Sequence, residues 1–337
     1  MNIVYIMGNG FDVSLGMKTR YPDFYDDYCK RSVRNQNADV VNLKQTIEEG
    51  REDWKDLEIQ LGRYTDKVPD SETMQRICLD LDDALRDYLM NEQEKTSAQE
   101  FDRDLTIEHL VHPEGFLLPD DQTMVYQGIN DNNRDIRIIT LNYTDTLEKA
   151  LANSKSGVSD KGVDKAGRNW RIREIYHLHG TLSGTPLVGV DNVSQIANEA
   201  LASDPDLLDI LVKPIANGAI KSGIIRKCRE VIEQANVIVL FGVSLGDTDQ
   251  TWWKEIGKQV VNKGTRLILF FYNPGLDITH HANLIAKQER KIRKEFLDKA
   301  KCVGDEKSFQ NRIYVGVNCP IFKGIRKRKG ENLNSDR

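Results

Sequence analysis

The sequence predicts an α/β fold, with a parallel sheet and a large helical insertion after the first strand. Four short apolar runs rich in β-branched residues have the length and composition of buried strands: residues 3–7, 136–139, 172–176 and 237–241. More than a hundred residues separate the first run from the second, although a minimal crossover between parallel strands needs only about twelve. We therefore expect the extra length to fold as a helical part.

The segment between the first two runs has the pattern of helices. Its composition is mostly acidic, and apolar residues recur at the spacing of one helix face, as at Ile77, Leu81, Leu85 and Leu89. We predict three parts: a helical insertion or lid at 21–130, a nucleotide-binding core at 1–20 and 131–322, and a flexible basic tail at 323–337.

The second half of the chain alternates between strand and helix patterns. We predict a surface loop at 153–169, a short strand at 186–190 and a helix at 218–235. A further helix is expected from about Trp252 to Gly264, before a strand at 266–272. Alternation of this kind is typical of the βαβ units of a parallel sheet.

Composition argues against several classes of protein. A formal net charge of -5 over 337 residues provides no overall basic field, so we do not expect nucleic-acid binding. The five cysteines are scattered without a Cys-x-x-Cys pair, which argues against a disulfide framework and a structural zinc module. The sequence has neither a leader segment nor a run of about eighteen apolar residues, so we expect a cytoplasmic protein without a membrane segment.

Each strand run is followed directly by a polar or glycine-containing motif. The motifs lie at 8–12, 140–143, 177–180 and 242–247. Since ligands of parallel sheets bind beyond the carboxyl ends of the strands, we predict that the four motifs form one site. The predicted ligand-binding residues are Gly8, Asn9, Gly10, Phe11, Asp12, Thr140, Tyr143, Asp145, His177, Gly242, Ser244 and Asp247.

The first two motifs each have a functional and a local interpretation. Gly8 and Gly10 permit close approach of a phosphate to a helix start, or only a tight turn, because Val13 replaces the third glycine of the dinucleotide fingerprint. Asp12 either binds ribose hydroxyls or caps the following helix. Asn142 either orients a ribose hydroxyl or a water, or bonds its own backbone in a turn, while Asp145 is expected to cap a helix.

The histidine motif has two chemical interpretations. His177 and His179 alternate along the predicted strand, so we expect their side chains to project from the same face toward one site. A histidine there is suited to act as a general base near neutral pH. Alternatively, both histidines bind a metal ion together with Asp247 and Asp249.

Taken together, the motifs resemble those of the AbiH family of bacteriophage abortive-infection proteins, within the sirtuin-like NAD-binding superfamily. The residues that carry the resemblance are Gly8 to Asp12, Tyr21 to Phe24, Trp54 with Asp56 to Glu58, Asn142 to Leu147, His177 to Gly180, and Ser244 to Asp249. The resemblance implies a Rossmann-like, sirtuin-like sheet in a bacterial protein that limits phage propagation. It assigns catalytic roles in NAD cleavage to Asn142 and His179.

Two departures from the superfamily matter. Asn9 stands where the related motif has alanine, and the zinc-binding cysteine quartet of deacylating sirtuins is missing, so we do not expect protein deacylation. We expect NAD, as substrate or ligand, to be hydrolysed to nicotinamide and ADP-ribose without a metal. Glu58 or Asp12 would supply nearby negative charge.

Two further functions are compatible with the sequence. The site either serves as a non-catalytic nucleotide-binding sensor or belongs to a metal-dependent hydrolase or nuclease that uses the His-x-His pair. In each case we expect a phage component, still to be identified, as the trigger. Assembly into a homo-oligomer is left open.

Overall fold

The computed structural model describes residues 1–32, 37–97, 100–129, 133–151, 160–220, 223–276, 282–302, 309 and 311–327. These residues form a mixed α/β fold around one sheet. Its strands are β1 (Asn2–Met7), β2 (Arg134–Thr140), β3 (Asp160–Val163), β4 (Asn169–His177), β5 (Val237–Phe241), β6 (Arg266–Phe271) and β7 (Ile313–Val317). The seven strands lie in the order β3-β4-β2-β1-β5-β6-β7.

β1 lies in the middle of the sheet, paired in parallel with β2 on one side and β5 on the other. Ile6 faces Ile139 across one pair and Leu240 across the other. β3 is antiparallel to β4, whereas the other neighbouring pairs are parallel. Helices cover both faces of these central strands, which explains their nearly continuous apolar sequences. The predicted parallel sheet is confirmed except for β3, which joins it as an antiparallel strand.

The helices before β2 are α1 (Gly10–Ser14), α2 (Tyr21–Tyr28), α3 (Ala38–Glu49), α4 (Leu57–Tyr64), α5 (Ser71–Glu94), α6 (Arg103–Val111) and α7 (Pro119–Met124). Those after β2 are α8 (Thr146–Ala150), α9 (Pro205–Leu211), α10 (Lys213–Ala219), α11 (Ile224–Glu233), α12 (Gln250–Lys258) and α13 (Ala282–Lys299). Among the described residues, none of these helices has the length and apolar character needed to cross a bilayer.

Apolar side chains bury themselves in three clusters. One joins α2 to α5 with residues 182–212 and defines a helical layer. The second covers one sheet face and includes Ile107 and Leu110 of α6, and the third covers the other face with α11 to α13. Residues between β1 and β2 therefore pack both within the helical layer and directly on the sheet.

Several predicted boundaries differ from the structure. At 186–190 the described chain forms only an isolated bridge between Val190 and Val212, where Gly189 passes close to the backbone of Leu211. The helix predicted at 218–235 starts at Ile224, after Gly223 adopts a positive φ of 66°. Part of the predicted loop at 153–169 forms β3 and the start of β4, whereas 152–159 lie outside the described residues.

The predicted tail begins inside the folded structure. Ile325 is fully buried, and the guanidinium of Arg326 donates to the carbonyl oxygen of Leu15 at 2.6 Å and to Glu100 at 3.0 Å. Residues 328–337 lie outside the described residues. The contacts of Arg326 hold this segment against the loop that follows α1.

A buried ion pair anchors the start of β2. The Arg134 side chain is 1% exposed and donates two hydrogen bonds to the Glu114 carboxylate, at 2.7 and 3.1 Å. The hydroxyl of Tyr126 donates to the same carboxylate at 2.8 Å. Burial alone would raise the pKa of Glu114, but the hydrogen bonds from His112 and Arg134 lower it to about 2.

We predict that Glu114→Gln lowers the free energy of unfolding by about 3–5 kcal/mol at neutral pH, because it leaves a buried guanidinium without its counterion. The Glu114 contribution is fully present above its ordinary pKa near 4.5 and is lost as the pH falls toward about 2. The difference between wild type and variant in urea unfolding should therefore shrink across that pH range.

The matched control is Glu52→Gln, which removes a surface carboxylate paired with Lys55 and should change stability by less than about 1 kcal/mol. Equal effects of the two substitutions, or a constant Glu114→Gln effect down to acid pH, would contradict the role of the buried pair.

Candidate functional site

A cleft of about 2020 Å³ lies beyond the carboxyl ends of the parallel strands. Its lining includes these predicted site residues: Gly8, Asn9, Gly10, Asp12, Asn142, Tyr143, His179, Gly242, Ser244 and Asp247. Phe11, Thr140, Asp145 and His177 are not part of that lining. The volume exceeds the roughly 300–1,000 Å³ of common ligand pockets, so a dinucleotide would occupy only part of the cleft.

The glycines at the ends of β1 and β5 pack backbone against backbone. A Cβ on Gly10 would lie 2.4 Å from the Cα of Gly242, and a Cβ on Gly8 would lie 2.6 Å from the Gly242 oxygen. The amide of Gly8 donates to Phe241, and that of Gly10 donates to Gly242. These glycines thus allow two strand-end loops to meet, and their amides are already bonded rather than free to bind a phosphate.

Asp12 is a buried carboxylate within α1 and not its cap, so the capping interpretation is wrong. The residue preceding α1 is Asn9, whose side-chain amide donates to the Thr19 carbonyl at 2.8 Å. Oδ2 of Asp12 accepts a hydrogen bond from Thr144 at 2.6 Å, and Oδ1 has no hydrogen-bond partner among the described residues. Burial raises the pKa of Asp12 to about 6, while the Thr144 hydroxyl opposes this rise.

Asn142 places a buried amide on the cleft wall. Asn142 is only 8% exposed, and its side-chain Oδ1 has no hydrogen-bond partner among the described residues. That oxygen therefore does not make the turn bond that the local interpretation required. The backbone amide of Asn142 donates to Thr140 Oγ1 at 3.1 Å.

His177 supports the cleft wall from behind. Its Nδ1 lies 2.9 Å from the carbonyl oxygen of Asn142 and its Nε2 lies 2.7 Å from Glu148. Burial by itself lowers the pKa of His177, but the hydrogen bond to Glu148 and its charge raise it above the ordinary value. Since both ring nitrogens lie next to acceptor oxygens, this arrangement favours the protonated ring, and the contact with the Asn142 carbonyl ties His177 to the cleft wall.

His179 lines the cleft and His177 does not, so the expectation that both side chains project toward one site is wrong. β4 ends at His177, and the chain then turns, with Gly180 at a φ of 80°. His179 Nε2 lies 2.9 Å from Asp249 Oδ1, and its buried Nδ1 has no hydrogen-bond partner among the described residues. Asp249 in turn contacts Lys213, which also pairs with Glu58.

The carboxylates of Asp145 and Asp247 each pair with a lysine and not with His177 or His179. Asp145 precedes α8 without a side-chain capping bond, and its carboxylate pairs with Lys149 at 3.1 Å. Its backbone amide donates to Gln93 of α5 at 2.8 Å. Asp247 pairs with Lys299 at 2.6 Å.

The sequence matches the family described as bacteriophage abortive infection AbiH over residues 4–272, which is most of the chain. The chain belongs to the AbiH family. A search among curated proteins found no significant match. The match includes every motif residue that lines the cleft.

The four side chains proposed as metal ligands do not come together in this AbiH-family chain. His177 pairs with Glu148 and Asp247 with Lys299, so only His179 and Asp249 of the four proposed ligands meet. Lys213 places a cation on the same oxygen of Asp249. Within the described ranges, no group of three or more His, Cys, Asp or Glu side chains is arranged to hold a metal ion.

Two ionic partners in this AbiH-family chain carried no sequence signal. Lys213 lies outside every motif, and Glu148 follows the asparagine motif on α8 without a distinctive pattern. Each is identified only by the fold, which brings Lys213 to Glu58 across 155 residues of sequence. Glu58 was singled out by the resemblance, and the structure brings it into the cleft lining.

We predict that Gly242→Ala destabilises the AbiH fold by more than about 2 kcal/mol. The new Cβ would lie 2.7 Å from the Phe11 nitrogen, and a φ of 69° is unfavourable for alanine. Gly218→Ala, a control in α10 with open space at its Cβ, should be neutral or slightly stabilising. Thermal unfolding of both variants tests this, and similar midpoints for both would contradict it.

Proposed function

We propose that this chain limits phage propagation by hydrolysing NAD to nicotinamide and ADP-ribose. Membership of the AbiH family implies a role in phage abortive infection. The proposal also includes a Rossmann-like, sirtuin-like core, a helical insertion that acts as a lid, and a cytoplasmic location. Asn142 Oδ1 and His179 Nδ1 carry the proposal, because both are buried polar atoms of cleft-lining residues and neither has a hydrogen-bond partner among the described residues.

Hydrolysis of the nicotinamide ribosyl bond passes through a sugar with oxocarbenium character. The bonding electron pair leaves with nicotinamide, which departs as a neutral molecule. Asn142 orients the ribose and the attacking water, and His179 accepts the proton that the water loses. Because Asp249 accepts the Nε2 hydrogen of His179, Nδ1 retains the lone pair that this step requires.

The pyrophosphate of NAD needs a binding arrangement other than the glycine amides. Gly8 and Gly10 donate to backbone carbonyls of the β5 end, and α1 has only five residues. Ser244, Lys323 and Lys327 also line the cleft. In the proposed complex these groups bind the phosphates, while the glycines allow the loops to approach.

We predict that Asn142→Ala reduces NAD hydrolysis by about 10²-fold or more, because the water and ribose lose their orienting amide. Purified proteins are incubated with NAD, and nicotinamide and ADP-ribose are separated by chromatography. Asn42→Ala, which truncates an exposed asparagine of α3, should retain wild-type rates. Calorimetry on the same samples measures NAD binding.

Release by wild type and Asn42→Ala but not by Asn142→Ala supports the proposal. Binding of NAD without release by wild type contradicts hydrolysis and favours the nucleotide sensor. Neither binding nor release excludes NAD as the ligand of the cleft.

His179→Ala separates chemistry from binding. We predict an ADP-ribose affinity within about threefold of wild type and a loss of turnover of at least about 10²-fold, because a general base contributes that much to rate. Product release at the wild-type rate would contradict the assignment of His179. A parallel loss of ADP-ribose binding would instead assign it a binding role.

A further inference from the structure

A continuous chain of buried ionisable side chains connects His179 to the helical layer. Asp249 Oδ1 lies 2.9 Å from His179 Nε2 and 3.2 Å from the Lys213 ammonium. The same ammonium lies 2.8 Å from Glu58 Oε2. The Lys213 side chain is 4% exposed and that of Glu58 is 8% exposed, so solvent screens these charges little.

The links of this chain come from separate elements. Glu58 belongs to α4 in the helical layer, Lys213 is the first residue of α10, and Asp249 precedes α12 beyond the end of β5. Asp249 Oδ1 accepts a hydrogen bond from the Lys213 ammonium and lies within hydrogen-bond distance of the His179 imidazole. Lys213 in turn sits between two carboxylates, which fixes its position from both sides.

We propose that Lys213 and Glu58 are positioning residues for the His179–Asp249 pair. Lys213 keeps Asp249 ionised and directed at Nε2, and Glu58 holds Lys213 in place. His179 is thereby held as the tautomer with hydrogen on Nε2 and the lone pair on Nδ1. The assignment rests on the proposed function for its catalytic meaning, although the tautomer itself is a property of the protein without NAD.

Charge directions within the cluster support this assignment. Burial alone would raise the pKa of Asp249, but Lys213 and His179 lower it below its ordinary range. Burial alone would lower the pKa of Lys213, but Asp249 and Glu58 raise it. Of the two carboxyl groups, Glu58 is the weaker acid, because burial raises its pKa despite the opposing charge of Lys213. Asp191, Tyr143 and Asp82 also interact electrostatically with members of this cluster.

The cluster also suits the proposed reaction electrostatically. Asp249 and Glu58, two acidic side chains bonded to one ammonium, both belong to residues that line the cleft. The negative charge of Asp249 favours a cationic sugar and the imidazolium that forms when His179 takes a proton. The positive charge of Lys213 lowers the pKa of Asp249 and so keeps this carboxylate ionised.

The test measures the tautomer of His179 directly. The 337-residue chain, labelled with ¹⁵N in its six histidines, is examined by NMR at neutral pH without NAD, and His179→Gln assigns the signal. We expect the wild-type ring to be protonated at Nε2 alone. Lys213→Met should lower the ratio of this tautomer to all other forms by about tenfold or more, since Asp249 loses its cation. Lys213→Arg should restore it.

Lys227→Met is the matched control, because Lys227 is exposed on α11. If Lys213→Met does not fold, the double variant Lys213→Met/Glu58→Gln is used, which removes both partners of the buried Lys213–Glu58 pair. Asp249 still lacks the ammonium of Lys213 in this variant, so the same tautomer change is expected. A wild-type tautomer ratio in a folded Lys213→Met protein or in the double variant would overturn the proposal.

The two proposals fail separately. If wild type does not cleave NAD and the tautomer still depends on Lys213, the positioning role stands and NAD hydrolysis is wrong. If wild type cleaves NAD and the tautomer is unchanged in Lys213→Met, the positioning role is wrong. A purely structural Lys213 would alter unfolding temperature in Lys213→Met without changing the tautomer ratio of the folded protein.

Discussion

The contact between the ends of β1 and β5 is the constraint on which the cleft depends. Gly8 and Gly10 lie so close to Gly242 that no side chain fits at any of these positions. β1 is the central strand, so this contact sets how the loops after β1 and β5 leave the sheet. Asp12 follows the first loop and Asp249 the second, and both reach the cleft because the two backbones touch.

Charge pairing then determines which motif residues are available for chemistry. Both ring nitrogens of His177 are bonded, one to Glu148 and the other to the Asn142 carbonyl oxygen, so this residue stabilises the cleft wall. In His179, Nε2 is bonded to Asp249, whereas Nδ1 has no hydrogen-bond partner among the described residues. Two histidines of one short motif thus have different capabilities, because one has two acceptors and the other has one.

The sequence predicted what depends on local patterning. The strands were recognisable because burial on both faces requires apolar, β-branched runs. Each of the four strand-end motifs contributes at least one residue to the cleft lining. The orientation of His177 depended on where β4 ends, which alternation along a strand does not reveal. Lys213 was missed because its importance comes from Glu58 and Asp249, which are distant in sequence and become neighbours only in the folded chain.

The ionic chain also makes the site a property of two layers. Glu58 comes from the helical layer, whereas Asp249 lies between the carboxyl end of β5 and α12, and Lys213 bonds to both. Moving α4 away would leave buried charges unpaired, which costs several kcal/mol for a buried ion pair. The same movement would release Lys213 from one of its two carboxylates. The position of the helical layer and the ionisation of Asp249 are therefore energetically coupled, so a ligand or partner that displaces α4 necessarily changes the electrostatics at His179.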